Sequence, residues 1–298
     1  MKKITIYLSG GLGNQMFQYA FGRALALRHS RELVIDDWSG FIRDFQYKRK
    51  YELKHFDIKA RSCNLIEKLS ILIYKIECFL FKNLKYKLFV RRIYGEFRND
   101  LNLKYDESLL QKLKGKNIWY LGYFQSPKYF DFINKELLEE FTISKPKQIK
   151  FLNMAKTIVK TESVAIGVRL YEESEHPNSH CKDGKIKTVD DINQTIDKIK
   201  SKLKNPKFFV FCTFRSPILE KLNLPKDSIF LTHEDGFEGT FESLWLLSKC
   251  KHHIFTNSSY YWWGAWLSQL NYKSREQFIF GANNFYNKDT LLKNWHAF

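Results

Sequence analysis

From Val164 onwards, short apolar runs and amphipathic stretches take turns along the chain. The apolar runs are Val164 to Val168, Phe208 to Phe211, Ile229 to Leu231 and His253 to Thr256; helical patterns cover 189 to 203, 217 to 222, 240 to 250 and Tyr260 to Leu270. A strand that must pass through a helix before the next strand returns to its sheet in parallel, by right-handed crossovers. The second half therefore reads as a Rossmann-like lobe. The same grammar opens the chain: Ile4 to Leu8, a glycine turn at Ser9-Gly10-Gly11-Leu12-Gly13, a helical pattern from Asn14 to about His29, then Leu33-Val34-Ile35. This is the start of a βαβ unit. Ile118 to Tyr123 reads as a further strand and Lys128 to Phe141 as a helix, and Lys145-Pro146-Lys147 marks a boundary. The expected division is an N-terminal lobe over 1–150 and a C-terminal lobe over 151–298.

Composition agrees with two folded domains. The chain has 298 residues, 44% hydrophobic and 27% charged, with 14 Gly and 6 Pro, which excludes disordered, collagen-like and disulfide-stapled classes. Five widely spaced cysteines without a Cys-x-x-Cys point to a reducing, cytoplasmic setting. No apolar run approaches the roughly 18 residues of a membrane span. Lys and Arg (49) outnumber Asp and Glu (32), a net +17 that favours polyanions. Nucleic acid, anionic lipid and phosphorylated substrates stay open on charge alone. The 16% of aromatic residues supplies core volume and rings able to stack on sugars or bases. Between Asn64 and Tyr94, Lys68, Lys75, Lys82, Lys85, Lys87, Arg91 and Arg92 interleave with apolar residues. That stretch is either an ordinary surface helix or a face for an anionic membrane.

Three segments have the chemistry of a ligand site. In Gly10-Gly11-Leu12-Gly13-Asn14-Gln15 a ligand can approach the backbone closely, and the helix that follows offers unpaired N–H groups to an anion. The spacing is neither Gly-x-Gly-x-x-Gly nor a P-loop. Arg169 follows a strand at the carboxyl edge of a parallel sheet, where its planar fork suits a phosphate; the alternative is an ion pair with Glu172 or Glu173. Thr256-Asn257-Ser258-Ser259 again joins a strand end to a helix start, where hydroxyls cap the helix or bind phosphate. His176, His180 and Cys181 read as a polar loop beside Lys182, Lys185 and Lys187, not as metal ligands.

Taken together, Gly10-Gly11-Leu12-Gly13-Asn14-Gln15-Met16-Phe17-Gln18-Tyr19-Ala20 and Asn257-Ser258-Ser259-Tyr260-Tyr261-Trp262-Trp263-Gly264-Ala265-Trp266-Leu267 resemble the two signature segments of the bacterial α-1,2-fucosyltransferases, glycosyltransferase family 11. Gly122-Tyr123-Phe124-Gln125-Ser126 and the Leu244 to Cys250 stretch resemble two more. The resemblance implies a GT-B-type fold, two Rossmann-like lobes with a donor cleft between them. It implies inverting transfer of L-fucose from GDP-β-L-fucose to a galactose hydroxyl of a surface glycan, with no metal and no cofactor. Carried to this sequence, it makes Gly11, Gly13, Asn14 and Gln15 the donor-side loop, gives Arg169 the diphosphate, and gives Asn257, Ser258 and Ser259 the opposite phosphate contacts. Among the acids, Glu172 is expected near the sugar ring and Glu175 as the base that takes the acceptor proton. The implied partners are a nucleotide-sugar donor and a galactose-containing acceptor, lipid-linked or free, with peripheral membrane contact and no nucleic acid. The sequence departs from the family where His-x-Arg-Arg-Gly-Asp-Tyr becomes Gly167-Val168-Arg169-Leu170-Tyr171-Glu172-Glu173, and where Ser-Asp becomes Cys212-Thr213. These departures leave two alternatives: a same-fold transferase for another nucleotide deoxysugar, and, from a different class, a basic nucleic-acid-binding protein.

Overall fold

The structure, a computed structural model, describes residues 2–69, 73, 76, 96–99, 104–169 and 187–298, apart from 43, 46, 112, 114–116, 270, 273–275 and 286. Two compact units, Met1–Thr142 and Ile143–Phe298, make up the chain. The first is built on a parallel sheet of β1 (Lys3–Tyr7), β2 (Glu32–Asp36), β3 (Arg61–Ser62), β4 (Glu96–Asn99) and β5 (Asn117–Leu121), in the order β3-β2-β1-β5-β4. Both faces of β1 are buried, so its run reads as continuously apolar, as parallel strands do. Helix α1 (Leu12–Arg28) packs on β1 and β2, and nearly its whole circumference is buried.

Much of the aromatic content is core. Phe21 stacks on Phe124 at 3.9 Å between centroids and meets Tyr120 and Tyr129 edge-on at 5.1 and 5.0 Å. The helix expected over 128–141 is only partly formed. Tyr129 and Phe130 are both fully buried, yet adjacent helical residues point about 100° apart. The chain satisfies both with 3₁₀ turns at Pro127–Tyr129 and Asp131–Ile133, and an α-helix forms only at α2 (Asn134–Glu140). At its end the buried Glu140 accepts from Tyr19 Oη (2.5 Å) and Arg23 Nε (2.8 Å), and Phe141 packs on Tyr19 and Phe56. Burial pushes the Tyr19 hydroxyl well up, so it remains a donor to that carboxylate. The unit closes there, ahead of Lys145-Pro146-Lys147.

The second unit contains α3 (Ile149–Lys160), β6 (Glu162–Gly167), α4 (Val189–Lys202), β7 (Pro206–Phe211), β8 (Ile229–Leu231), α5 (Thr240–Leu247), β9 (His252–Phe255), α6 (Ser259–Ser268), β10 (Ile279–Gly281) and β11 (His296–Ala297). Its sheet is parallel throughout, in the order β11-β10-β9-β6-β7-β8. Helix α4 starts at a capping box in which Thr188 and Asp191 satisfy each other's backbone N–H. The helix expected over 217–222 is a 3₁₀ turn at Pro217–Lys221, and the one expected over 240–250 ends at Leu247. The adjacent Trp262 and Trp263 are fully buried, 4.9 Å apart and edge-to-face, with Trp262 Nε1 donating to Thr290 O at 2.8 Å. They are core, not a platform for a ligand. Strands β10 and β11 escape sequence reading because each is too short for a periodicity to show. No helix among the described residues is long and apolar enough to cross a membrane.

Candidate functional site

In an open parallel sheet, ligands gather at the carboxyl ends of the two strands where the strand order reverses, because the loops that follow them leave in opposite directions. In the first unit these strands are β1 and β5; in the second they are β6 and β9. The motif segments sit at these points. Ser9–Gln15 follows β1, Gly122–Ser126 follows β5, Val168–Arg169 follows β6 and Thr256–Ser258 follows β9.

At the first reversal the two loops are tied together. Gln125 Nε2 donates to Asn14 Oδ1 at 2.8 Å, and Gln18 Nε2 donates to Gly122 O at 2.9 Å. Gln18 also accepts from Ser9 N at 3.0 Å. Gly10 adopts φ +75°, a left-handed conformation that costs glycine nothing, and a side-chain carbon there would lie 2.7 Å from Asn14 Nδ2. Gly11 caps α1 without a side chain, and no acid occupies the first turn, so the helix end keeps its partial positive charge. Gln15 is completely buried. Its Nε2 donates to Gly10 O (2.9 Å) and Lys50 O (2.8 Å), and its Oε1 accepts from Glu52 N (2.9 Å). Gln15 therefore shapes the loop from beneath, Gly11 and Asn14 are partly exposed, and Gly13 is buried.

The second reversal is pinned by Thr256. Its Oγ1 accepts from Arg169 N at 2.9 Å, and its own N–H donates to Gly167 O at 3.1 Å. This fixes the backbone of Arg169 while its side chain is exposed at the carboxyl edge. Beside it, Ser258 caps α6 with extended backbone and no side-chain capping bond, and no acid lies in the first turn. Asn257 is buried and donates through Nδ2 to Asn284 O at 3.2 Å; Ser259 is partly exposed. Arg169, Ser258 and Ser259 are thus grouped at one sheet edge, with Arg169 exposed, Ser259 partly exposed and Ser258 buried. Glu172 and Glu175, and the His176, His180 and Cys181 cluster, lie outside the described residues. Among the described residues no three His, Cys, Asp or Glu side chains form a metal-holding group.

The structure explains why position 167 is glycine. The Tyr261 ring from α6 lies against it, so a side-chain carbon there would meet Tyr261 Cγ at 2.4 Å. The ring is held by its hydroxyl, which donates to Phe211 O at 2.8 Å with Val168 O as the longer, shared acceptor at 3.3 Å, between the ends of β6 and β7. Tyr261 stood in the sequence as part of a motif, but nothing there paired it with Gly167.

Two α/β units on parallel sheets, each with its motif loops at the strand-order reversal, have the fold of the GT-B class. Residues 1–297 match the model of Glycosyl transferase family 11, and the chain belongs to that family. It is similar to an alpha-1,2-colitosyltransferase of Escherichia coli, 29% identical with 91% of this chain and 89% of that one covered. It is also similar to the O-antigen biosynthesis glycosyltransferase WbnK of Escherichia coli, 27% identical over 89% of this chain and 90% of that one. Among solved structures, the fucosyltransferase NodZ from Bradyrhizobium shares the fold, with a TM-score of 0.51 at 12% identity over 89% of this chain and 92% of that one.

Proposed function

We propose that this glycosyltransferase moves L-fucose from GDP-β-L-fucose to a galactose hydroxyl of a surface glycan, forming an α-1,2 linkage with inversion and without a metal or cofactor. The acceptor oxygen forms the new bond to the anomeric carbon as the bond from that carbon to the diphosphate breaks. GDP leaves with the electron pair, and the acceptor proton passes to a base. The observation that carries this reading is the Thr256-pinned Arg169 beside the uncapped Ser258 hydroxyl, a fixed positive edge for the leaving diphosphate. In this reading the Gly11–Asn14 loop is the donor-side backbone of the first unit, Glu172 is assigned to the sugar ring and Glu175 to the base. The names of the relatives, an alpha-1,2-colitosyltransferase and an O-antigen biosynthesis glycosyltransferase, support transfer of a deoxysugar and an acceptor in O-antigen assembly.

A second reading keeps the fold and changes the sugar. It is favoured by the Tyr261 ring on Gly167 and by the colitosyltransferase name of the relative. A thermal-shift panel of GDP, GDP-fucose, UDP, dTDP and ADP, with and without EDTA, separates the readings. Stabilisation by GDP and GDP-fucose that survives EDTA, followed by fucose transfer, supports the first. Preference for UDP, dTDP or ADP, or GDP binding without fucose transfer, supports the second, and silence across the panel overturns both. The cytoplasmic face of a membrane is the proposed place of action. Leu65 and Ile66 are 74% and 70% exposed at the start of the basic stretch, and anionic vesicles should retain the protein where neutral ones do not.

A further inference from the structure

The loop after β2 has properties that the transferase reading above does not use. It presents three rings to solvent, Trp38 at 43%, Phe45 at 81% and Tyr47 at 46% exposure, and none packs on another ring among the described residues. Yet its backbone is braced. Asp36, buried at the end of β2, accepts from Trp38 N (3.2 Å) and Ser39 N (3.0 Å); Asp44 accepts from Tyr47 N (3.0 Å) and Arg49 N (3.1 Å). The loop is also tied to the strand-order reversal. Leu8 N donates to Asp36 O at 3.2 Å, Tyr7 Oη donates to Ser39 O at 3.3 Å, and the buried Gln15 holds Lys50 O. Arg49 links the rings to the glycine loop. Its guanidinium lies over Tyr47, 5.4 Å from the ring centroid, and covers the open side of Gly11, where a side-chain carbon would be 3.6 Å from its Nη1.

We propose that this braced loop is the acceptor-saccharide platform, with Trp38 and Tyr47 as stacking rings and Arg49 as a hydrogen-bond donor to sugar hydroxyls. The proposal rests on the transferase reading and adds a subsite to it. Solvent-facing rings on a hydrogen-bonded loop, set among charged donors and acceptors, suit a pyranose: its C–H face packs on an aromatic face while its hydroxyls reach the polar groups around it. Ile42 and Phe45, 44% and 81% exposed, share the loop, but Asp44 and Arg49 set charges among its apolar side chains, a mixture that suits a pyranose better than a lipid tail. Position agrees with chemistry, since the rings stand at the carboxyl edge of the sheet, next to the loop at the β1/β5 reversal.

The test uses full-length Trp38→Ala, Tyr47→Ala and Trp38→Phe, with lactose as the galactose-terminated probe. Both alanine variants should raise the lactose KM about tenfold, equivalent to about 1.4 kcal/mol per variant. They should leave the GDP-induced thermal shift and the acceptor-free hydrolysis of GDP-fucose unchanged, and Trp38→Phe should restore most of the lactose affinity. An unchanged lactose KM in both variants overturns the proposal, and so does a fall in the GDP shift, which would give the loop to the donor. If the wild type does not turn over GDP-fucose, the donor reading has failed on its own. Saturation-transfer NMR with lactose then decides the platform: transfer to the galactose ring that disappears in Trp38→Ala supports it, and no transfer to the wild type refutes it.

Discussion

Replacing Gly167 by alanine tests the packing that sets the C-terminal site. The added methyl carbon would sit 2.4, 2.6 and 2.7 Å from Cγ, Cδ1 and Cδ2 of Tyr261, well inside van der Waals contact. A ring atom cannot yield as the tip of a flexible side chain does, and this ring is also anchored by its hydroxyl to Phe211 O and Val168 O. The methyl group therefore either strains β6 or expels the ring. Overpacking of this kind costs about 1–3 kcal/mol, and losing the hydroxyl contacts adds about 1 kcal/mol. We expect Gly167→Ala to lower stability by about 3 kcal/mol, read as a shift in the urea midpoint of the second unit's transition. A double-mutant cycle isolates the cause. In a Tyr261→Ala background the same substitution should cost less than about 0.5 kcal/mol, because the space is then empty. If Gly167→Ala costs less than about 0.5 kcal/mol in the wild type, or costs equally in both backgrounds, the steric account is wrong.

Arg169→Ala should abolish transfer while the variant stays folded, since its backbone bond to Thr256 survives; normal turnover by the folded variant would remove the diphosphate role. Gln15→Met should cost about 1–3 kcal/mol, because it removes the three hydrogen bonds that this buried side chain makes to Gly10 O, Lys50 O and Glu52 N, and denaturant melts check this. Burial holds the His253 imidazole down at about 3 against an ordinary 6.5, with Nε2 bonded to Cys250 O. Since the unfolded chain takes up that proton first, the stabilisation is fully present above about pH 6.5 and falls by about 1.4 kcal/mol per pH unit below it, down to about pH 3. His253→Gln should flatten that acid limb by one proton in urea melts at pH 4 to 7, and an unchanged slope would sink the assignment. His252 contributes in the same direction: burial lowers its pKa against the opposing pull of Glu162, which Nε2 bonds, and Nδ1 accepts from Phe278 N.

The alternation of apolar runs with amphipathic stretches determined a parallel α/β architecture before any coordinate was known, because a strand buried on both faces cannot hide its continuous apolar run. It also put Gly10–Gln15, Arg169 and Asn257–Ser259 at strand ends, since turns and caps announce themselves locally. Three things were decided only in three dimensions. The strand order, with its reversals at β1/β5 and β6/β9, depends on pairings between residues more than a hundred positions apart in the case of Ile4 and Ile118. Gln15 reads as a ligand contact in its motif, yet its amide is taken up by Lys50 and Glu52, which no local pattern marks. Gly167 reads as a missing side chain until Tyr261 is seen filling its place. Periodicity and turn chemistry are local and survive in a linear string; which side chain occupies a given space is set by the meeting of distant segments, and only the folded chain brings them together.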